Sequence, residues 1–458
     1  QMCGDAPHFK KFLQMCRANV IGAAGLRLQV RAYSPDGKTL NIKVNKKIEA
    51  AFWDWGHRET CTLSTKMNWA ESQRLFITQL ARDGEVLVQK VYPKNGWGFA
   101  LKFWNVDYLD ESHNVTLPSG NRVIMSVEID ADDKPVAYWL TTPSPDTMIP
   151  KRQQPDRTRI AAEEMIHAFL INDDESQVRG LTWFHAGLLG GKSLYSYVEA
   201  VVTQARMTSM SLGIIEEDSE LIDIDTGGLE NDEGRERLPE IEFYPGGFTK
   251  LLPGQTLKQF DPKQPTQNHP AFKKSMEIDL AGSFGVHYFS LTGDMEAVNY
   301  SSARVGLGEE RDLWRELQDF VAEVFCREVY HEWARCAMLA GKIKLTSREY
   351  NEIQNPMWRP RGWRYVDPLK EVNADVTAIE NKLTSYTEVM ADKGIDLIDH
   401  LETLKQEKAM FEEYGVEYGT VAIAEAAMAQ ADDPNADDPN AEMPPTEEKK
   451  KAAAGAVK

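Results

Sequence analysis

Ala186-Gly187-Leu188-Leu189-Gly190-Gly191-Lys192-Ser193 carries the residue types of a loose phosphate-binding loop, with alanine at the first glycine position. In such a loop backbone amides cradle phosphates, the lysine meets the β and γ groups, and the hydroxyl holds magnesium. A candidate metal-holding strand, Phe169-Leu170-Ile171 running to Asp173, precedes the loop instead of following it. The competing reading is a glycine-rich helix start. Leu221-Ile222-Asp223-Ile224-Asp225-Thr226-Gly227 contains the Asp-Thr-Gly of aspartic proteases. That chemistry needs two carboxylates sharing one proton, and the surrounding acids would disturb the sharing even if a homodimer supplied the second. Counted from Asp223, the twelfth position is Gly234 and not the glutamate of a calcium loop. Loose binding of divalent ions by the clustered carboxylates stays open. His331 and Glu332 lack the second histidine of a zinc protease, because Arg335 stands four residues on. A structural or surface histidine is expected there, and Glu323 with Arg327 reads as a surface helix pair. None of these patterns assembles a catalytic set, a metal site or a cofactor site.

The net charge of −19 argues against a conventional nucleic-acid-binding protein, which needs a basic face to neutralise phosphates. It does not argue against a conduit through which DNA slides, since tight phosphate binding along a channel would stall passage. Solubility is the alternative use of such a charge. Between residues 216 and 240 stand eleven acids, among them Glu216, Glu217, Asp218, Asp223, Asp225, Glu230, Asp232 and Glu233. Only Arg235 and Arg237 oppose them, so this stretch carries nine of the nineteen excess negative charges. A solvated loop accounts for such a run without any function.

The chain of 458 residues, 42% hydrophobic and 27% charged, is long enough for two to four domains or for a rod with appended domains. No run of about 18 apolar residues suggests a membrane-spanning helix, and no leader precedes the first amphipathic segment. The start at Gln1-Met2-Cys3, close to the first amphipathic segment, is compatible with natural N-terminal residues preceding it. Cys3, Cys16, Cys61, Cys326 and Cys336 are odd in number and scattered, which favours reduced, buried thiols.

In chain order, Phe9, Phe12, Leu13 and Cys16 have helical spacing, and Val20 to Val30 is expected as a strand. Asn68 to Arg82 is expected as a helix with Asn68 and Glu71 in a capping box. Glu85 to Tyr92 and Trp97 to Phe103 flank the hairpin signal Pro93-Lys94-Asn95-Gly96, while Val123 to Ile129 and Pro135 to Leu140 flank a second turn. Thr142 to Arg159 holds four prolines and predicts an exposed arm, followed by a short strand from Met165 to Ile171. Leu194 to Ile215 and Phe272 to Phe289 predict two helices enclosing a β-containing excursion, with strands at Ile241 to Tyr244 and Lys250 to Leu252. From Ser302 to Gly341 a helix of roughly forty residues, about 60 Å long, carries Leu313, Leu317, Phe320, Val321 and Val324 on one stripe. Trp358 to Trp363 is turn-rich, Val376 to Glu388 and Ile398 to Tyr414 predict amphipathic helices, and the twice-written Ala-Asp-Asp-Pro-Asn from Ala431 predicts disorder beyond residue 428. The fold class is α+β.

Several fragments, in order over residues 10 to 400, resemble the lambda-type portal proteins of tailed bacteriophages. They are Arg179-Gly180-Leu181-Thr182-Trp183, Leu252-Pro253-Gly254-Gln255, Phe260-Asp261-Pro262, Leu291-Thr292-Gly293-Asp294, Val298-Asn299-Tyr300-Ser301-Ser302-Ala303-Arg304, Glu309-Glu310-Arg311-Asp312 with Trp314, and Trp363 with Tyr365-Val366-Asp367-Pro368. The resemblance implies a non-enzymatic subunit of a closed, twelvefold ring at one capsid vertex. Its parts would be an N-terminal α+β wing over residues 1–190 with an arm at 142–159, a first stem helix at 191–215, a clip at 216–267, and a second stem helix at 268–293. A tunnel loop at 294–302, a long wing helix and further wing at 303–370, a helical crown at 371–427 and a disordered acidic tail at 428–458 would follow. Asp294, Met295, Glu296, Val298, Asn299, Tyr300 and Ser301 would face DNA in the channel, making backbone contacts without base readout. The implied partners are the terminase large subunit, head-tail connector or adaptor proteins, the major capsid or scaffolding protein, and double-stranded DNA, with no membrane and no cofactor. The implied location is the virion, after assembly in the host cytoplasm. Two other readings remain at this stage, a P-loop nucleotide hydrolase or motor using Ala186 to Ser193, and another viral capsid or scaffold protein.

Overall fold

The computed structural model describes residues 6–34, 40–141, 157–172, 174–209, 213–217, 255–259, 268–296, 300–363 and 367–415. Two compact units, Gln1–Arg361 and Gly362–Lys458, divide the chain.

Pro7 opens helix α1 (Pro7–Cys16), where its missing N–H is one the first turn would leave unpaired anyway. Phe9, Phe12, Met15 and Cys16 form its buried stripe. The expected strand from Val20 is instead a π-helical turn, Arg17–Ile21, and only Arg27–Gln29 (β1) is extended. Asn41 caps α2 (Ile42–Trp55), and the Asn68/Glu71 capping box starts α3 (Trp69–Asp83) as its sequence signature requires. Glu85–Val91 (β2) and Ala100–Trp104 (β3) form the expected antiparallel pair.

Five antiparallel strands follow in spatial order: Val115–Thr116 (β4), Arg122–Ile124 (β5), Val127–Ile129 (β6), Pro135–Thr141 (β7) and Arg157–Ala161 (β8). The single strand expected from Val123 to Ile129 is therefore two. The chain reverses at Met125 (φ 47°) and Ser126 (φ 71°), with Ile124 opposite Val127. Both turn residues have positive φ without being glycine, a strained geometry that neighbouring bonds hold in place. Asn114 Oδ1 accepts from Met125 N at 2.9 Å, Ser126 Oγ donates to the Asp110 carbonyl at 3.0 Å, and Trp139 N donates to the Ser126 carbonyl at 2.9 Å. Arg157–Arg159 lie in β8 and not in the expected arm, of which residues 142–156 lie outside the described residues. Met165–Phe169 (β9) completes a three-stranded sheet in the order β3-β2-β9. Leu87, Leu109, Val127, Ile129, Tyr138, Leu140, Ile160 and Met165 form one buried cluster between these sheets.

The long helix runs through α7 (Tyr300–Val321), a π-helical stretch (Ala322–Arg327) and α8 (Glu328–Leu339). Its buried stripe is Trp314, Leu317, Val321, Phe325, Val329, Tyr330 and Trp333, while Leu313, Phe320 and Val324 are half-buried. The stripe packs on α2 and α3 through aromatic rings, with Phe325 stacked 4.4 Å from Phe76 and Trp333 edge-to-face 5.0 Å from Phe52 between centroids. Lys90 reaches from β2 to Glu328 at 2.7 Å. After the long helix come α9 (Ser347–Glu352) and Met357–Arg359 (β12), which pairs with β1. Cys16, Cys61, Cys326 and Cys336 are buried free thiols, and burial pushes Cys61 up to about 12.

The second unit holds α10 (Pro368–Glu380), α11 (Tyr386–Asp392) and α12 (Leu397–Glu413). The helix expected from Val376 to Glu388 is broken, because α10 stops at Glu380, Lys382 turns the chain at φ 59°, and Ser385 with Glu388 caps a new start. Residues 416–458, including the repeated acidic segment, lie outside the described residues. No described helix is long and apolar enough to cross a membrane.

Candidate functional site

The excursion that leaves and re-enters the first unit begins at Arg179-Gly180-Leu181-Thr182-Trp183. Arg179 Nε donates to Glu85 Oε1 at 2.7 Å, Gly180 N donates to Glu85 Oε2 at 3.1 Å, and His167 Nε2 lies 2.8 Å from that oxygen. Burial alone would raise the Glu85 carboxyl, but His167 and Arg179 outweigh it and hold it at about 2. Thr182 Oγ1 donates to the Arg82 carbonyl at 2.7 Å, and Trp183 N to the Ala81 carbonyl at 3.2 Å. Gly84 (φ 90°) lies so close that a Cβ there would sit 2.2 Å from the Leu181 carbonyl carbon. The motif thus clamps the chain to the end of α3 and the start of β2.

From this clamp the chain enters α4 (Leu188–Ser209). The helix starts earlier and ends sooner than the expected span to Ile215, since Gly213–Glu217 (β10) is extended and pairs antiparallel with Gln255–Gln259 (β11). Glu216 and Glu217 therefore lie on a strand, opposite Thr256 and Gln255. Asp218, Asp223, Asp225, Glu230, Asp232 and Glu233 lie outside the described residues, as do the strands expected at Ile241 to Tyr244 and Lys250 to Leu252. The chain returns through α5 (His269–Ser283), antiparallel to α4: Gly191 meets Leu280 at one end, and Tyr197 packs on His269 and Phe272 at the other.

The base of this hairpin is aromatic. Phe9, Phe12, Phe184, Phe284 and Trp314 pack together, with centroids 4.9 Å apart for Phe9 and Phe184 and 5.0 Å for Phe12 and Phe284. Glycine at 187 and 191 makes room, since a Cβ would stand 2.8 Å from the Phe284 ring and 2.6 Å from the Phe9 ring respectively. Beside it, His8 Nδ1 lies 2.8 Å from the Tyr195 hydroxyl and its Nε2 3.4 Å from buried Glu277, which Lys273 also approaches to 3.4 Å. Burial pulls the His8 imidazole below its usual value despite the neighbouring carboxylate.

The helix expected to continue to Phe289 stops at Ser283. Gly285 N donates to the Gly282 carbonyl and Val286 N to the Ala281 carbonyl, both at 3.1 Å, with Gly285 at φ 69°. This left-handed glycine cap ends the helix. A short helix, α6 (Tyr288–Thr292), follows and leads to Asp294. Asp294 accepts from the Tyr288 hydroxyl at 2.9 Å and from Glu296 N at 3.0 Å, and pairs with Lys274 at 3.4 Å. The Glu296 amide, the Tyr288 hydroxyl and Lys274 hold its carboxyl below the usual range. Met295 is 59% exposed and Glu296 is exposed. Val298 and Asn299 lie outside the described residues, and Tyr300 and Ser301, expected in the loop, are the first residues of α7.

The phosphate-loop pattern has no loop, because Leu188 through Ser193 are helical and the nearest preceding strand ends at Phe169. Lys192 and Ser193 are exposed on the helix surface. The Asp-Thr-Gly segment lies outside the described residues. His331 Nε2 lies 2.7 Å from the Gln354 carbonyl, a structural contact, and Glu323 pairs with Arg327 along the helix. Among the described residues no group of three histidine, cysteine or acidic side chains is placed to hold a metal. The sequence reading missed Glu85 and His167, whose importance arises only when β2, β9 and Arg179 meet.

The fold and this hairpin define a mixed helix-and-sheet subunit built around a two-helix excursion and a long helix. A family model described as "Phage portal protein, lambda family" matches residues 1–318. The chain is 34% identical over 417 residues to a probable portal protein of Halomonas phage phiHAP-1, covering 90% of this chain and 79% of that protein. It is 23% identical over 387 residues to portal protein B of Escherichia phage lambda, covering 77% and 71%. Among solved structures, a chain from the neck of an empty GTA particle computed with C6 symmetry aligns with TM-score 0.47 and 14% identity, covering 86% of this chain and 92% of that one. The chain belongs to the lambda family of phage portal proteins.

Proposed function

We propose that about twelve copies of the chain close into a ring at one capsid vertex, through which double-stranded DNA enters during packaging and leaves at ejection. A closed ring needs two different, complementary faces on every subunit. The observation that carries the reading is the antiparallel pair α4 and α5, joined beyond their far ends by the paired β10 and β11 and returning through a loop into the long helix. In a portal family member this supports α4 and α5 as stem helices, the segment between them as the clip, and the segment from Asp294 as the tunnel loop. Residues 1–190 and 303–370 then supply the wing and residues 371–427 the crown. The clip, with its acidic run, docks the terminase large subunit and later the head-tail connector proteins, and the wing meets the major capsid or scaffolding protein. The subunit acts as a structural part of the virion, assembled in the host cytoplasm, and needs no cofactor or membrane.

The overall charge of −19 supports sliding over tight binding, because each phosphate neutralised by a cation adds affinity through released counterions. On this reading the exposed Met295 and Glu296 meet the DNA backbone. Glu296→Lys adds an attractive charge there, and packaged DNA per particle is expected to fall about two-fold or more, with the deficit shrinking as salt rises. Unchanged packaging and DNA retention would remove this segment from the channel.

A further inference from the structure

The segment that leaves α6 is tied down at its first residue. Asp294 Oδ2 accepts from the Tyr288 hydroxyl at 2.9 Å and lies 3.4 Å from Lys274 Nζ, while Oδ1 accepts from Glu296 N at 3.0 Å. Lys274 Nζ also lies 5.3 Å from the centroid of the Tyr288 ring, so the three side chains touch one another pairwise. Asp294 N donates to Thr292 Oγ1 at 3.2 Å, and Thr292 Oγ1 donates to the Tyr288 carbonyl at 2.8 Å. Both carboxylate oxygens are thus engaged within the chain. Lys274 belongs to α5, so these contacts join the start of the loop to one helix of the hairpin.

We propose that Asp294 is a positioning residue, forming with Lys274 and Tyr288 a latch that fixes the loop, as it leaves α6, against α5, and that it does not itself contact DNA. This rests on the reading of the segment as the tunnel loop. The Lys274 and Asp294 side chains are 39% and 30% exposed, so the ion pair is screened by water and salt. Such a latch holds a preferred orientation and can yield to a passing duplex. A rigid anchor would instead bury its charges.

The test is a charge swap in the full-length chain, with two readouts. Asp294→Lys and Lys274→Asp are made singly and together, and Tyr288→Phe removes one hydrogen bond while leaving both charges. Amide hydrogen exchange at residue 294, whose N–H is bonded to Thr292 Oγ1, is expected to rise about five-fold in either single charge variant, less in Tyr288→Phe, and to return to within about two-fold of the parent in the double swap, which restores the ion pair. The Glu296 amide loses its Asp294 Oδ1 acceptor wherever lysine stands at 294 and exchanges faster in both such variants. Packaging in assembled particles is expected to follow the order at residue 294. If residue 294 exchanges as fast in the double swap as in the single variants, or if the single variants exchange there like the parent, the latch is refuted. If packaging in the double swap stays as low as in Asp294→Lys, the added cation is meeting DNA and Asp294 is a contact. Exchange that behaves as expected while packaging ignores every variant supports the latch and refutes only the tunnel-loop reading.

Discussion

Replacing Arg179 with alanine lowers the stability of the unassembled chain by about 3 to 5 kcal/mol, the usual penalty for removing one partner of a buried ion pair. The Glu85 side chain is 2% exposed, and Arg179 Nη2 approaches Oε1 to 2.5 Å in addition to the bonds from Nε. Without the guanidinium, the carboxylate keeps only His167 and the Gly180 amide. The same group makes stability depend on pH. Its folded value of about 2 lies below the ordinary 4.5, so its contribution is fully present above pH 4.5. That contribution falls away as pH drops from about 4.5 through about 2, and amounts to about 3 kcal/mol in all. Glu85→Gln should therefore flatten the acid limb of a stability curve measured by urea denaturation between those values. An Arg179→Ala midpoint equal to the parent's, or an acid limb unchanged in Glu85→Gln, would show that the clamp does not hold the fold.

Phe325→Ala is expected to lower stability by about 3 to 5 kcal/mol, through lost transfer energy and the cavity left behind. Phe325 is fully buried in the π-helical stretch of the long helix, stacked on Phe76 at 4.4 Å and on Trp69 at 5.2 Å. Both rings belong to α3, so the loss falls on the contact between the long helix and α3. Phe325→Leu keeps most of the volume and should lower stability by less than about 1.5 kcal/mol. Urea denaturation of both variants checks the pair, and equal small losses would mean that this part of the core readily collapses around the gap.

The capping box at Asn68 and Glu71, the β2–β3 hairpin and the long helix were legible because each is encoded locally, by a side chain at fixed spacing or by a periodic stripe. The turn at Met125 and Ser126 was not, since neither residue favours the positive φ it adopts and bonds from Asn114, His113 and Asp110 hold it. The start of α4 was misplaced because Gly190 and Gly191 resemble loop residues, whereas Gly191 is needed for close contact with Phe9, far away in sequence. Gly285, one glycine inside an apolar pattern, gave too little signal to divide α5 from α6. Asp294 was readable as a loop residue, but its bonds to Lys274 and Tyr288 depend on how α5 and α6 meet.

Native mass measurement of the purified chain, with images taken down the symmetry axis of any assembly, tests the ring most directly. The account predicts a closed species of about 620 kDa, twelve chains of 51.8 kDa each, with a central hole of DNA width. Shells, open filaments, a six-membered ring or a species that remains at 51.8 kDa would contradict it.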